Sequence, residues 1–139
     1  MWFFSNLFKK SGFFSSEYTD KSMMLLTDVM NAHANWKSRI HRFMEGSLGY
    51  SLDPEMVAQA DDTELGRWIL QSDALEMSNE RRLVLDKLHK ANVELHQVAH
   101  AIVRDVLAGN LADAAIHEKQ FVAVAKRVMV LLIEVGREG

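Results

Sequence analysis

Apolar residues recur at spacings of three and four along most of this chain, the period of an amphipathic helix with one face turned inward. From Thr19 to Met44 the inward positions are Leu26, Met30, His33, Lys37, Ile40 and Met44, flanked by Val29, Trp36 and Phe43. Thr19 or Asp20 can cap that helix, and Gly46 and Gly49 end it. Asp53-Pro54 is a second start, an acidic cap followed by proline at the first helical position. The short helix it opens reaches about Ala60, and Asp61 or Asp62 can cap another carrying Thr63 to Gln71. Residues 72–78 read as a loop.

A long helix is predicted from Asn79 to about Ala108. At 100° per residue, Leu85, His89, Asn92, His96, His100, Val103 and Leu107 lie within about 40° of one line. Gly109-Asn110 is a C-cap and turn, and the last helix runs from Leu111 to about Val135. Its inward line is Ala114, His117, Phe121, Ala125, Val128, Leu132 and Val135. So short a reversal folds these two helices into an antiparallel hairpin. The pattern predicts an all-α fold: a four-helix bundle over residues 19–139, with a short-helix excursion between the first and second long helices.

Residues 1–18 break the pattern and form an aromatic N-terminal arm. Trp2, Phe3, Phe4, Leu7 and Phe8 make a short greasy run with Lys9 and Lys10 directly behind it. No basic segment precedes the run, so it does not read as a secretory signal. A helix of two turns is marginal alone and must dock on its own bundle, a second copy, a partner, or, through weak contact aided by the two lysines, a membrane surface.

The chain's 139 residues suit one domain, and its 48% apolar content supports a real core. A formal charge of −3 argues against general nucleic-acid binding. The chain contains no cysteine, which removes disulfides, thiolate ligands and thiol nucleophiles together, and fits a cytoplasmic protein. There is no glycine-rich phosphate loop and no nucleophile paired with a base, so no enzyme is expected. The eight methionines read as adaptable packing, and Trp36 and Trp68 as core aromatics.

The histidines change the picture. Of six, four (His33, His96, His100 and His117) point inward on the helical reading, and His89 shares the line of His96 and His100. A polar ring on an apolar stripe costs free energy unless something bonds it, and imidazole is a common ligand for zinc, iron and copper. The bland reading is a set of hydrogen-bonded core histidines; the sharper one is a built site.

Three motifs bear on the choice. His33-Ala-Asn-Trp36 lies on the first long helix; Thr63-Glu-Leu65-Gly66-Arg67-Trp68 begins 30 residues after His33; Asn92 and His96 stand four apart, with the Gly109 turn 13 residues after His96. Over about residues 20–135 this resembles the bacterial chemoreceptor zinc-binding domain family. That family shows His-x-x-Trp, then Cys-x-(Leu/Phe)-Gly-(Lys/Arg)-Trp, then His-x-x-x-His. The resemblance implies a four-helix bundle serving signal transduction and chemotaxis, attached to cytoplasmic chemoreceptors or cyclases or standing alone. It also implies a zinc held by three His and one Cys, with Trp36 and Trp68 packed around it. A homodimer or a larger signalling protein is the expected partner.

The chain departs from that pattern where the family has ligands. Thr63 stands in place of the Cys and Asn92 in place of the first paired His, so only His33 and His96 match. Counting by residue type alone would instead pair His96 with His100. Three outcomes follow. The site is rebuilt, with His89 or His100 joining His33 and His96, and Asp62 or Glu64 supplying oxygen. Or it is lost, Thr63 and Asn92 hydrogen-bond the two histidines, and the chain is a metal-free interaction domain. Or the crowded imidazoles sense protons. A hemerythrin-like diiron bundle for oxygen or redox sensing is the alternative class, since His96 and His100 have suitable mutual spacing, although the family's His-x-x-x-Glu and His-x-x-x-x-Asp are lacking.

Overall fold

The computed structural model describes residues 25–138. Every regular element among them is helical: α1 (Leu26–Glu45), α2 (Pro54–Val57), a 3-10 turn (Ala60–Asp62), α3 (Glu64–Asp73), α4 (Asn79–Leu107) and α5 (Leu111–Glu138). The N-terminal arm and the Thr19 or Asp20 cap lie outside the described residues.

Local chemistry sets most boundaries. Gly46 at φ 76° ends α1, and Gly109 at φ 78° turns the chain between α4 and α5; both conformations suit a residue without Cβ. The Asp53 carboxylate accepts from the Glu55 amide at 3.0 Å, and Pro54 follows it at the first helical position. α3 departs from expectation. Asp61 and Asp62 belong to the 3-10 turn, and the cap is the Thr63 hydroxyl, which accepts from the Gly66 amide at 3.1 Å. α3 also continues to Asp73, two residues into the expected loop. Ser78 caps α4 through the Arg81 amide.

α4 and α5 form the expected antiparallel hairpin. Asp105, near the end of α4, meets His117 early in α5 at 2.7 Å, whereas Glu94, further back, meets Arg127, further on, at 2.8 Å. α1 also runs antiparallel to α5: Leu26 reaches Gly136, the rings of Trp36 and Phe121 lie 5.8 Å apart, and His41 reaches Glu118 at 3.3 Å. α3 packs on α1 and α4, and α2 lies on α4. The shared core includes Val29 and Ile40 of α1, Leu65 and Ile69 of α3, Leu88, Leu95 and Ile102 of α4, and Phe121, Val128 and Leu132 of α5. Among the described residues no helix is long and apolar enough to cross a membrane.

The inward line predicted for α5 is observed except at His117, which is only partly covered. On α4 the buried stripe is rotated by about 60° from the predicted line, by helical geometry. Leu88, Leu95, Ala99 and Ile102 are fully enclosed, and Leu107 is exposed. The reason is that α4 serves two neighbourhoods. Its aliphatic arc meets α1 and α5, while the histidine line forms one edge of that arc and faces the α2 segment.

Candidate functional site

On that edge, four successive polar side chains of α4 meet the segment 55–61 in reverse order. His100 Nε2 lies 3.4 Å from a Glu55 carboxylate oxygen. His96 Nδ1 donates to the Val57 carbonyl at 2.8 Å. The Asn92 amide donates to the Ala60 carbonyl at 3.5 Å. His89 Nε2 lies 3.7 Å from an Asp61 carboxylate oxygen. The line read from the sequence is therefore real, and it pins α2 and the 3-10 turn along α4.

The rungs differ in depth. Asn92 and His96 are buried, whereas the His89 side chain is 44% exposed and that of His100 26%. Polar side-chain contacts as open as the outer two contribute little to stability, about 0–1 kcal/mol. The inner rungs satisfy carbonyls that short helices otherwise leave without partners.

His33 approaches from α1 and is buried. Trp36 packs against both imidazoles, its ring centroid 6.0 Å from His33 and 4.2 Å from His96. His33, Trp36, His96, Thr63 and Glu64 border a small cavity of about 10 Å³, the size a single water needs. Three of the four positions singled out by the motif resemblance, His33, Thr63 and His96, thus line this cavity, and the fourth, Asn92, joins them only through the Ala60 carbonyl. Thr63 shares the cavity with both histidines, and Asn92 shares the Ala60 carbonyl with Thr63, whose hydroxyl donates to it at 3.2 Å. Thr63 and Asn92 spend these donors on Ala60 rather than on the imidazoles.

Gly66 makes this convergence possible. A Cβ there would overlap the Ala60 carbonyl oxygen and come within 2.7 Å of the Asp61 Cα. Only an unsubstituted residue lets α3 lie this close to the 3-10 turn, which brings Thr63 and Ala60 together.

Burial lowers the His33 pKa to about 4, helped by the positive charges of Lys37 and of protonated His96. Burial also lowers the pKa of His96, against the opposing pull of the Val57 carbonyl and the Asp61 carboxylate. Both rings are therefore neutral at pH 7. Because a carbonyl can only accept, Nδ1 of His96 carries the proton and Nε2 keeps its lone pair. His33 Nε2 and Asn92 Oδ1 are buried with no hydrogen-bond partner.

Two imidazoles with free Nε2 atoms are the beginning of a metal site, and an Nδ1–H held by a backbone carbonyl is how many ligating histidines are oriented. The remaining donors do not complete it: Glu64 borders the cavity but is exposed and does not converge with the two histidines. Thr63 offers a hydroxyl already used as a helix cap, Asn92 offers an amide, and neither rivals thiolate or imidazole for zinc. His89 and His100 lie on the outer rungs with Asp61 and Glu55. Among the described residues no three His, Asp or Glu side chains converge to hold an ion. The residues present do not fit a tetrahedral zinc, nor do they assemble the larger donor set of a diiron centre.

The ladder's partners were not legible in the sequence. The spacing of His89, Asn92, His96 and His100 gives a face of α4, but not which segment crosses it. Asp53-Pro54 fixes where α2 begins, and that start was the available clue. Comparison with protein-family models, curated proteins and solved structures gives no match to this chain.

Proposed function

We propose that this chain is a cytoplasmic signalling module of the chemoreceptor zinc-binding type. In this reading α1, α3, α4 and α5 form its four-helix bundle, its metal centre is reduced to His33 and His96, and it works without metal as a protein-interaction domain. One observation carries the reading: positions 33, 63, 92 and 96, drawn from α1, α4 and the cap of α3, come together around one small cavity and one carbonyl. Chance helix packing has no reason to gather the four places at which the motif resemblance locates ligands. The substitutions at two of them account for the loss of the metal. A thiolate and an imidazole are replaced by groups that satisfy the Ala60 carbonyl, so the bundle keeps its local geometry.

Metal analysis of protein purified without an affinity tag tests this. The expected result is zinc well below equimolar, unchanged by replacing His33 and His96 with Ala. Equimolar metal that disappears in the His33→Ala/His96→Ala variant would show a rebuilt site instead. An iron charge-transfer band would point to the diiron class.

A further inference from the structure

The two helices of the hairpin present opposite kinds of surface to solvent. The outer face of α4 is a mixed charged one, with Asp86, Lys87, Lys90, Glu94 and Arg104 exposed. The outer face of α5 is largely apolar. Leu111, Val122 and Ile133 are exposed along one side of it, and Ile116 and Val130 along the other. Between these two lines, at 100° per residue, fall Lys119, Lys126 and Arg137, all exposed, and one exposed carboxylate, Glu134, shares the angle of Ile116 at the edge of the face. Among the described residues neither Lys119 nor Lys126 takes part in an ion pair, whereas Arg127, at the edge, is held by Glu94. The exposed Ala115 and Ala123 leave room for a second helix to approach closely. A helix face this apolar on a solvent-exposed surface marks an interaction site.

We propose that the outer face of α5 is the docking surface for an acidic amphipathic helix of a partner protein, with carboxylates along the partner's midline meeting Lys119 and Lys126 and aliphatic side chains filling the two apolar lines. This rests on the interaction-domain reading and names the chemistry of the partner. Charge decides between occupants. A second copy packed by a two-fold axis would lay the midline cations Lys119, Lys126 and Arg137 on their own image, with only Glu134 at the edge of the face to offset them. A membrane surface suits helices whose cations sit on the polar face, opposite the buried apolar one. Here the cations run down the middle of the apolar face, where insertion into lipid would bury them. A carboxylate-bearing helix meets both features at once.

The test is a titration of the full chain with two synthetic amphipathic peptides of the same leucine pattern, one with Glu and one with Lys along its midline. The Glu peptide should bind the unmodified protein, more weakly as salt rises, and the Lys peptide should not. In the Lys119→Glu/Lys126→Glu variant, exposed positions that leave the core untouched, affinity for the Glu peptide should fall by at least about tenfold and the Lys peptide should now bind. The proposal is overturned if both peptides bind alike or neither binds. It is also overturned if binding survives the charge reversal, if Ile116→Glu converts a dimer into monomers, or if phosphatidylglycerol vesicles capture the protein through the same lysines. None of these results depends on the zinc content, so failure here leaves the reading of the site standing on its own test.

Discussion

Gly66→Ala is expected to cost about 3 kcal/mol, enough to unfold α3 from the body of the protein or to lower the thermal midpoint by roughly ten degrees in a chain of this size. The ordinary expectation is the reverse: replacing glycine by alanine inside a helix gains about 1 kcal/mol. The sign inverts here because the added Cβ meets backbone, the Ala60 carbonyl and the Asp61 Cα, rather than the end of a side chain that can rotate away. Relief requires α3 to move off the 3-10 turn, which also separates Thr63 from Ala60. Gly136 is a useful contrast, since a Cβ there would meet only the side chain of Leu26. Thermal denaturation of the two variants should therefore give a large loss for Gly66→Ala and a small one for Gly136→Ala. Equal losses would mean that the close approach of α3 is not what holds this region.

Acid should weaken the protein in a window set by the interior histidines. His33 titrates near 6.5 in the unfolded chain and at about 4 in the folded one. A lowered folded pKa means that the unfolded state binds more protons between those values. Stability is then full above pH 6.5, falls as the pH drops toward 4, and loses nothing further from this group below 4. His33 alone contributes about 3 kcal/mol to that fall, and His96 adds to it in the same direction. Set against a typical total of about 5–15 kcal/mol, this is a large share. Urea unfolding at pH 7 and pH 5 should show it as a shift of the midpoint. His33→Gln, which removes the titrating ring, should flatten most of the dependence. A pH response unaffected by that substitution would place its origin elsewhere.

Helix type and most helix boundaries were legible because the period of three and four is long and the punctuation is chemical. Asp53-Pro54 and Gly109-Asn110 each act through a local hydrogen bond or a backbone angle. The inward line of α5 was readable because one arc of that helix is buried and the rest is open. α4 was misread by a fraction of a turn because it is covered on two sides. Histidines at the edge of a wide buried arc look, in sequence, like its centre. The same ambiguity made His89 and His100 candidate ligands beside His33 and His96, whereas their depth differs: the first two meet the Asp61 and Glu55 carboxylates at the surface. The α3 cap was missed because Asp61, Asp62 and Thr63 are all capable caps in succession, and the tight 3-10 turn decided among them. The charge line on α5 is not legible in the inward pattern, because it lies on the opposite face of the helix.

In the proposed reading, the pocket between α1, α3 and α4 corresponds to a four-ligand metal centre with two ligands replaced. Restoring them tests it. Zinc should be measured in the Thr63→Cys/Asn92→His variant, with far-UV circular dichroism to show that the helices persist. The expected result is equimolar zinc in this variant, absent from the unmodified chain, and lost again when His33→Ala is added. A folded double variant that takes up no zinc, or zinc that remains after His33 is removed, would contradict it.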